Sequence, residues 1–148
     1  MEQQKSETKL TEIPADQALF NGLFSALIVT FYQNERPPSG LMGQMDWHFQ
    51  GFISRSIKMG AITGRTGELV YYPVQKSDRL YHLVLVGAGP SDVSEQRPPL
   101  PASCFAELRK NLLSLKISKF GLSRADFGNV EPESISKHLK GVSLWITP

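Results

Sequence analysis

Leu83-Val-Leu-Val-Gly-Ala-Gly-Pro90 is four aliphatic residues in a row that stop on two glycines and a proline. A continuous apolar run lacks the alternation of a half-exposed strand, so it suits a strand covered on both faces, and Gly-Ala-Gly suits the turn at its end. In open α/β sheets such turns are common places to hold a phosphate. The rest of the chain decides whether this one has the parts to do so.

Upstream, residues 23–32 are dense in aliphatic, aromatic and β-branched side chains and read as a central strand, followed by a proline- and glycine-rich loop from Asn34 to Gly43. From Met45 the period becomes helical. Met45, Phe49, Phe52, Ile53 and Ile57 share one arc with Ser56, which predicts a helix over 44–59 closed by Gly60, with Trp47 on its polar side. A turn-rich link, residues 61–67, leads to a strand over 68–74, where Pro73 argues for an edge or a strand end. The strand over 80–86 follows after a polar connection. Downstream lies a loop with Pro90, Pro98, Pro99 and Pro101, and then a helix over 102–118 with Phe105, Leu108, Leu112 and Leu115 on one stripe, ended by Gly121. Pro132, Glu131 and Glu133 at one end, and Lys137, His138, Lys140 and Gly141 at the other, obey the capping and dipole rules for a helix over 132–140. Val142, Leu144 and Ile146 then alternate as a last strand. Strands alternating with amphipathic helices predict a three-layer α/β/α domain, its sheet mixed but mostly parallel, with an antiparallel pair over 68–86.

At 148 residues the chain has the length of one domain, expected over 19–148, behind a polar, aperiodic stretch over 1–18, interrupted by Pro14 and expected to be a flexible arm. The longest apolar run, Ala26 to Tyr32, is too short to cross a bilayer as a helix, and the first ten residues lack the apolar core of a secretory signal. No membrane association is therefore expected, and the expected location is cytoplasmic. The single cysteine, Cys104, rules out an internal disulfide. A net charge of +2 does not by itself call for a polyanionic partner, although residues 107–124 hold five basic side chains against Glu107 alone.

The familiar chemistries each lack a part. A dinucleotide fingerprint needs a third glycine opening a helix; here Asp92 stands at that place and prolines follow, and no Gly-Lys-Ser/Thr completes a P-loop. His48, His82 and His138 have no paired spacing for a metal. Cys104 lies in the first turn of a helix with no histidine that the sequence places beside it, and no Gly-x-Ser-x-Gly elbow exists. No catalytic residue, metal ligand or cofactor is expected. If the loops bind anything, the candidates are Gly87, Gly89 and Ser91 at the glycine turn, with Arg55, Arg65 and Arg79 as basic groups for a nucleotide or for weak nucleic-acid binding.

Asp46-Trp-His-Phe-Gln-Gly-Phe-Ile-Ser54, Gly64-Arg-Thr-Gly-Glu68 and Val86-Gly-Ala-Gly89 together form a pattern that resembles the amino-terminal domain of the leucyl aminopeptidase family, with arginine where that family has lysine in the Gly-Lys-x-Gly-Glu turn. The resemblance covers about 46–89. It implies a macro-domain-like fold and no catalytic residue, because that family keeps its two metals and its catalytic groups in a carboxy-terminal domain. It also implies action through protein contacts, by self-association or docking to a partner, with nucleotide or nucleic-acid binding as the alternative. True macro domains hold ADP-ribose with a glycine-rich loop and an Asp-Ile pair; neither is found here, which speaks against that ligand.

Overall fold

The computed structural model describes residues 8–33, 40–90 and 100–148. Its strands are β1 (Thr8–Leu10), β2 (Ala26–Phe31), β3 (Leu69–Lys76), β4 (Arg79–Gly87), β5 (Phe120–Ser123) and β6 (Leu144–Thr147). Its helices are α1 (Ala15–Phe20), α2 (Gly40–His48), α3 (Phe52–Lys58), α4 (Ala102–Ser114) and α5 (Pro132–His138), with a single 3-10 turn at Ala125–Phe127. The strands form one six-stranded sheet in the order β1-β6-β5-β2-β4-β3. Only the β3–β4 pairing is antiparallel.

Alternate residues of the central strands feed two separate cores. Leu27, Val29, Phe31, Leu83 and Leu85 pack with α1, α2 and α3 on one face. Ala26, Ile28, Val84, Val86 and Leu122 pack with α4 and α5 on the other. All six residues of β2 are buried, which is why this stretch reads as continuously apolar. The architecture is the expected α/β/α sandwich around a mixed, mostly parallel sheet.

Three local readings change. Within residues 8–18, read as part of an arm, Thr8–Leu10 pairs with Leu144–Ile146 as an outer strand, and α1 buries Ala15, Ala18 and Leu19. Pro14 starts that helix rather than interrupting the chain, and the i, i+3, i+4 spacing of its apolar residues supplies the buried stripe. The helix expected over 44–59 is two helices broken at Gln50 and Gly51, both at positive φ (59° and 78°). Asp46 stabilises the break: its carboxylate accepts from the amide and the hydroxyl of Ser54, in the first turn of α3. Gly121 does not end α4, which stops at Ser114; it lies inside β5. A Cβ there would sit 2.1 Å from the ring of Phe24, so the missing side chain makes room for a buried phenylalanine.

Pro73 also has a clear place. Gly87 N–H donates to Glu68 O (2.7 Å), so even-numbered residues of β3 bond to β4 and odd-numbered ones face the open edge. The nitrogen of Pro73 therefore lies where no ladder bond is lost.

Gly121→Ala is expected to lower stability by about 1–3 kcal/mol in urea unfolding. Combining it with Phe24→Leu should cost less than the sum of the two single changes, as for two residues that compete for one space.

Candidate functional site

Because five of the six strands run parallel, the segments following β1, β2, β4, β5 and β6 all leave from one edge of the sheet. β2 leads to helices on one face, while β4 and β5 lead to helices on the other. The strands therefore diverge around β2 at this carboxyl edge, the usual place for a ligand in an open α/β sheet.

The glycine turn after β4 lies at this edge, but its backbone is already engaged. Gly87 N–H donates to Glu68 O (2.7 Å), Ala88 N–H to Phe31 O (2.9 Å) and Gly89 N–H to Gly64 O (2.8 Å). A phosphate cradle needs such amides to face the ligand; here all three face protein. The glycines serve close approach instead. A Cβ on Gly87 would lie 2.0 Å from Arg65 O, one on Gly89 2.1 Å from Thr66 Oγ1, and one on Gly64 2.8 Å from Gln33 N, with Gly64 and Gly89 also at positive φ. Two of the three stretches that carry the aminopeptidase resemblance, 64–68 and 86–89, are thus halves of one contact. Ser91 lies outside the described residues.

Glu68 holds the other side of that contact in shape. Its carboxylate accepts from the amides of Thr63 and Gly64 (both 2.9 Å) and from the Thr63 hydroxyl (2.6 Å). Partial burial opposes the charged form, but the Thr63 hydroxyl, the two amides and the nearby Arg65 charge outweigh it and hold the carboxyl below its ordinary value.

The three arginines do not form one surface. Arg65 is exposed in the turn beside Gly87, whereas Arg79 opens β4 at the far end of the strand, roughly 26 Å away at about 3.3 Å per residue. Arg79 donates to Phe20 O (3.1 Å), and Arg55 on α3 folds back to Gln50 O (2.8 Å). The histidines are dispersed as well: His48 lies 3.5 Å from Asp16, His82 pairs with the Tyr71 hydroxyl, and His138 stacks on Phe105. Among the described residues, no three His, Cys, Asp or Glu side chains gather to hold a metal ion. Nor is any helix among them long and apolar enough to cross a membrane.

The open space at the carboxyl edge lies on the other side of β2. A cleft of about 310 Å³ is formed where α1 begins (Pro14, Ala15, Asp16), where α2 begins (Gly40, Leu41, Gln44), and past β5 and β6 (Ser123, Ala125, Asp126, Pro148). The start of α2 brings the positive end of a helix dipole to it. Asp126, buried in its wall, accepts from Thr30 N–H (2.7 Å) through Oδ2, and its own carbonyl accepts from Thr30 Oγ1 (2.8 Å). β2 pairs with β5 only over Ala26–Ile28, so this carboxylate receives a strand amide that β5 no longer reaches. Asp126 and Gln44 were not singled out in the sequence, since neither belongs to a motif and the fold alone brings their segments together.

No family model matches the chain, and no curated protein matches it. Solved structures do resemble it. The macrodomain of Mycobacterium tuberculosis DarG superposes with a TM-score of 0.65 at 15% identity, covering 97% of this chain and 98% of that one. Thermosipho africanus DarTG in complex with ADP-ribose gives 0.65 at 12% identity, covering 98% of this chain and 42% of that one. A tomato leucine aminopeptidase mutant gives 0.66 at 14% identity, with 100% of this chain spanning 34% of that one. The fold is therefore macro-domain-like, shared by the macrodomain of DarG and by part of a leucine aminopeptidase.

The engaged glycine turn gives two expectations. Gly87→Ala should destabilise the protein by about 3 kcal/mol in urea unfolding, because the new methyl meets a backbone carbonyl rather than a mobile side chain. Since the folded-state value of Glu68 is depressed, its contribution is present above the unfolded carboxylate value and is lost as pH falls through the folded one. Glu68→Gln should therefore be less stable than wild type near neutral pH, and the gap should close on acidification, read as the unfolding midpoint against pH.

Proposed function

We propose that this chain is a binding module without chemistry of its own, and that a nucleotide of the ADP-ribose kind seats in the cleft between the starts of α1 and α2 and the segment after β5. The observation that carries this reading is the position of the cleft: it opens at the carboxyl edge, beside the strand where the chain's path diverges to the two faces. Its volume is at the lower end of the range for small-molecule sites. Gln44 and Asp16 supply polar groups at its rim, suited to the hydroxyls and ring nitrogens of a nucleoside. The solved DarTG complex makes ADP-ribose the first ligand to test. The missing Asp-Ile pair is an argument about one motif, and the cleft described here is built from other residues. Binding rather than catalysis is favoured because Asp126, the buried carboxylate of the cleft wall, is engaged by β2's own backbone, and Cys104 is buried on the inner face of α4.

A second reading, contact with protein, rests on a different observation. Trp47 and Met59, 79% and 83% exposed, are the most exposed large apolar side chains among the described residues, and the whole chain superposes on part of a leucine aminopeptidase. In that reading the chain self-associates or docks to a partner protein.

Isothermal titration calorimetry with ADP-ribose, ADP and AMP separates the two. The first reading predicts saturable heat with at least one of them, reduced about tenfold or more by Gln44→Trp or Ala125→Trp at unchanged melting temperature. No heat with any of the three would overturn it. A stable oligomer by light scattering, dispersed by Trp47→Ser or Met59→Ser, would establish the second.

A further inference from the structure

At the opposite, amino edge of the sheet a separate groove of about 450 Å³ lies between the end of α4 and the turn leading into β6. Leu112 and Phe120 form its floor, both buried, while Leu113 (48% exposed), Leu115 and Ile117 line its mouth opposite Gly141 and Val142. Arg109 ties the two walls together, its Nε–H donating to Lys140 O (2.6 Å). The groove is thus a built feature rather than a gap between loose segments.

Its charge is one-sided. The two stretches that line it, 112–120 and 141–143, contain no acidic residue; Lys116 and Lys119 lie within the first, and Arg109, Lys110 and Lys140 stand close by in the chain. Lys116, Lys119 and Lys140 are exposed, and each adjoins a lining residue in the chain. A half-exposed leucine among apolar neighbours, with exposed lysines next to them in the chain, suits a partner with the complementary pattern, apolar side chains among carboxylates. A second copy of this chain does not suit, because a two-fold contact through this patch would set the basic rim against itself. Single-stranded nucleic acid fits less well, since the one aromatic ring lining the groove, Phe120, is 2% exposed and offers no face for a base.

We infer that this groove docks an acidic, leucine-rich peptide segment of a partner protein, independently of any ligand at the carboxyl edge. Selection of a random-peptide display library on the immobilised wild-type protein tests it. Enriched peptides are expected to combine Asp or Glu with spaced Leu, Ile or Phe, to bind about tenfold or more weakly to Leu113→Asp and to the double variant Lys116→Glu/Lys119→Glu, and to weaken as salt is raised. Leu113 is half exposed and the two lysines are on the surface, so both variants should keep the wild-type melting temperature; if Leu113→Asp fails to fold, the charge-reversed protein alone decides. Peptides without acidic residues, binding unchanged by the variants, no enrichment at all, or a labelled single-stranded oligonucleotide that binds this groove where no peptide does, would each overturn the inference.

Discussion

The structure turns on a backbone contact with no side chain between its partners. The turn at 64–68 lies directly against the end of β4, and it can do so only because Gly64, Gly87 and Gly89 carry no Cβ. Three amides of the β4 end are spent on Glu68, Phe31 and Gly64 carbonyls, which joins β3's entry, β4's exit and β2's exit into one unit. Glu68 keeps the turn in the shape that this contact needs. What looks in the sequence like a cradle is a weld, and the open part of the carboxyl edge is displaced toward β5 and the start of α2.

The same constraint organises the second half of the edge by contrast. β2 and β4 stay paired to the last residue, whereas β2 and β5 separate after Ile28 and Leu122. At that separation Asp126 substitutes for the missing strand partner of Thr30, keeping β2's amide satisfied while the cleft opens beside it. One side of β2 is thus closed by glycine, and on the other a carboxylate caps the strand where β5 leaves it.

The sequence made the fold legible where burial imposes a period. β2, β4, α4 and α5 follow from runs, stripes and caps that local chemistry dictates, such as the continuous apolar stretch at 26–31 or the charges flanking 132–138. It was misleading where one residue type has two uses. Gly121 suggests a helix stop but is a packing gap under Phe24, and Pro14 suggests a break but begins a helix. β5 went unseen because four residues containing a glycine carry no pattern until β2 and β6 flank them. The candidate site was less legible still. Gly87 and Gly89 were visible, but not the turn that occupies them; Arg65 and Arg79 were close in sequence but stand at opposite ends of β4; and the cleft joins segments near 15, 44 and 125 that no spacing rule connects.

Mapping ADP-ribose onto the amide spectrum of isotopically labelled protein tests the central claim most directly, that a ligand at the carboxyl edge enters beside Asp126 and not at the glycine turn. The account predicts that the largest shift changes fall on Ala15, on Leu41 to Gln44 and on Ser123 to Asp126, with the amides of Gly64, Gly87 and Gly89 nearly unmoved. Changes concentrated at Gly87 to Gly89, or none at saturating ligand, would contradict it.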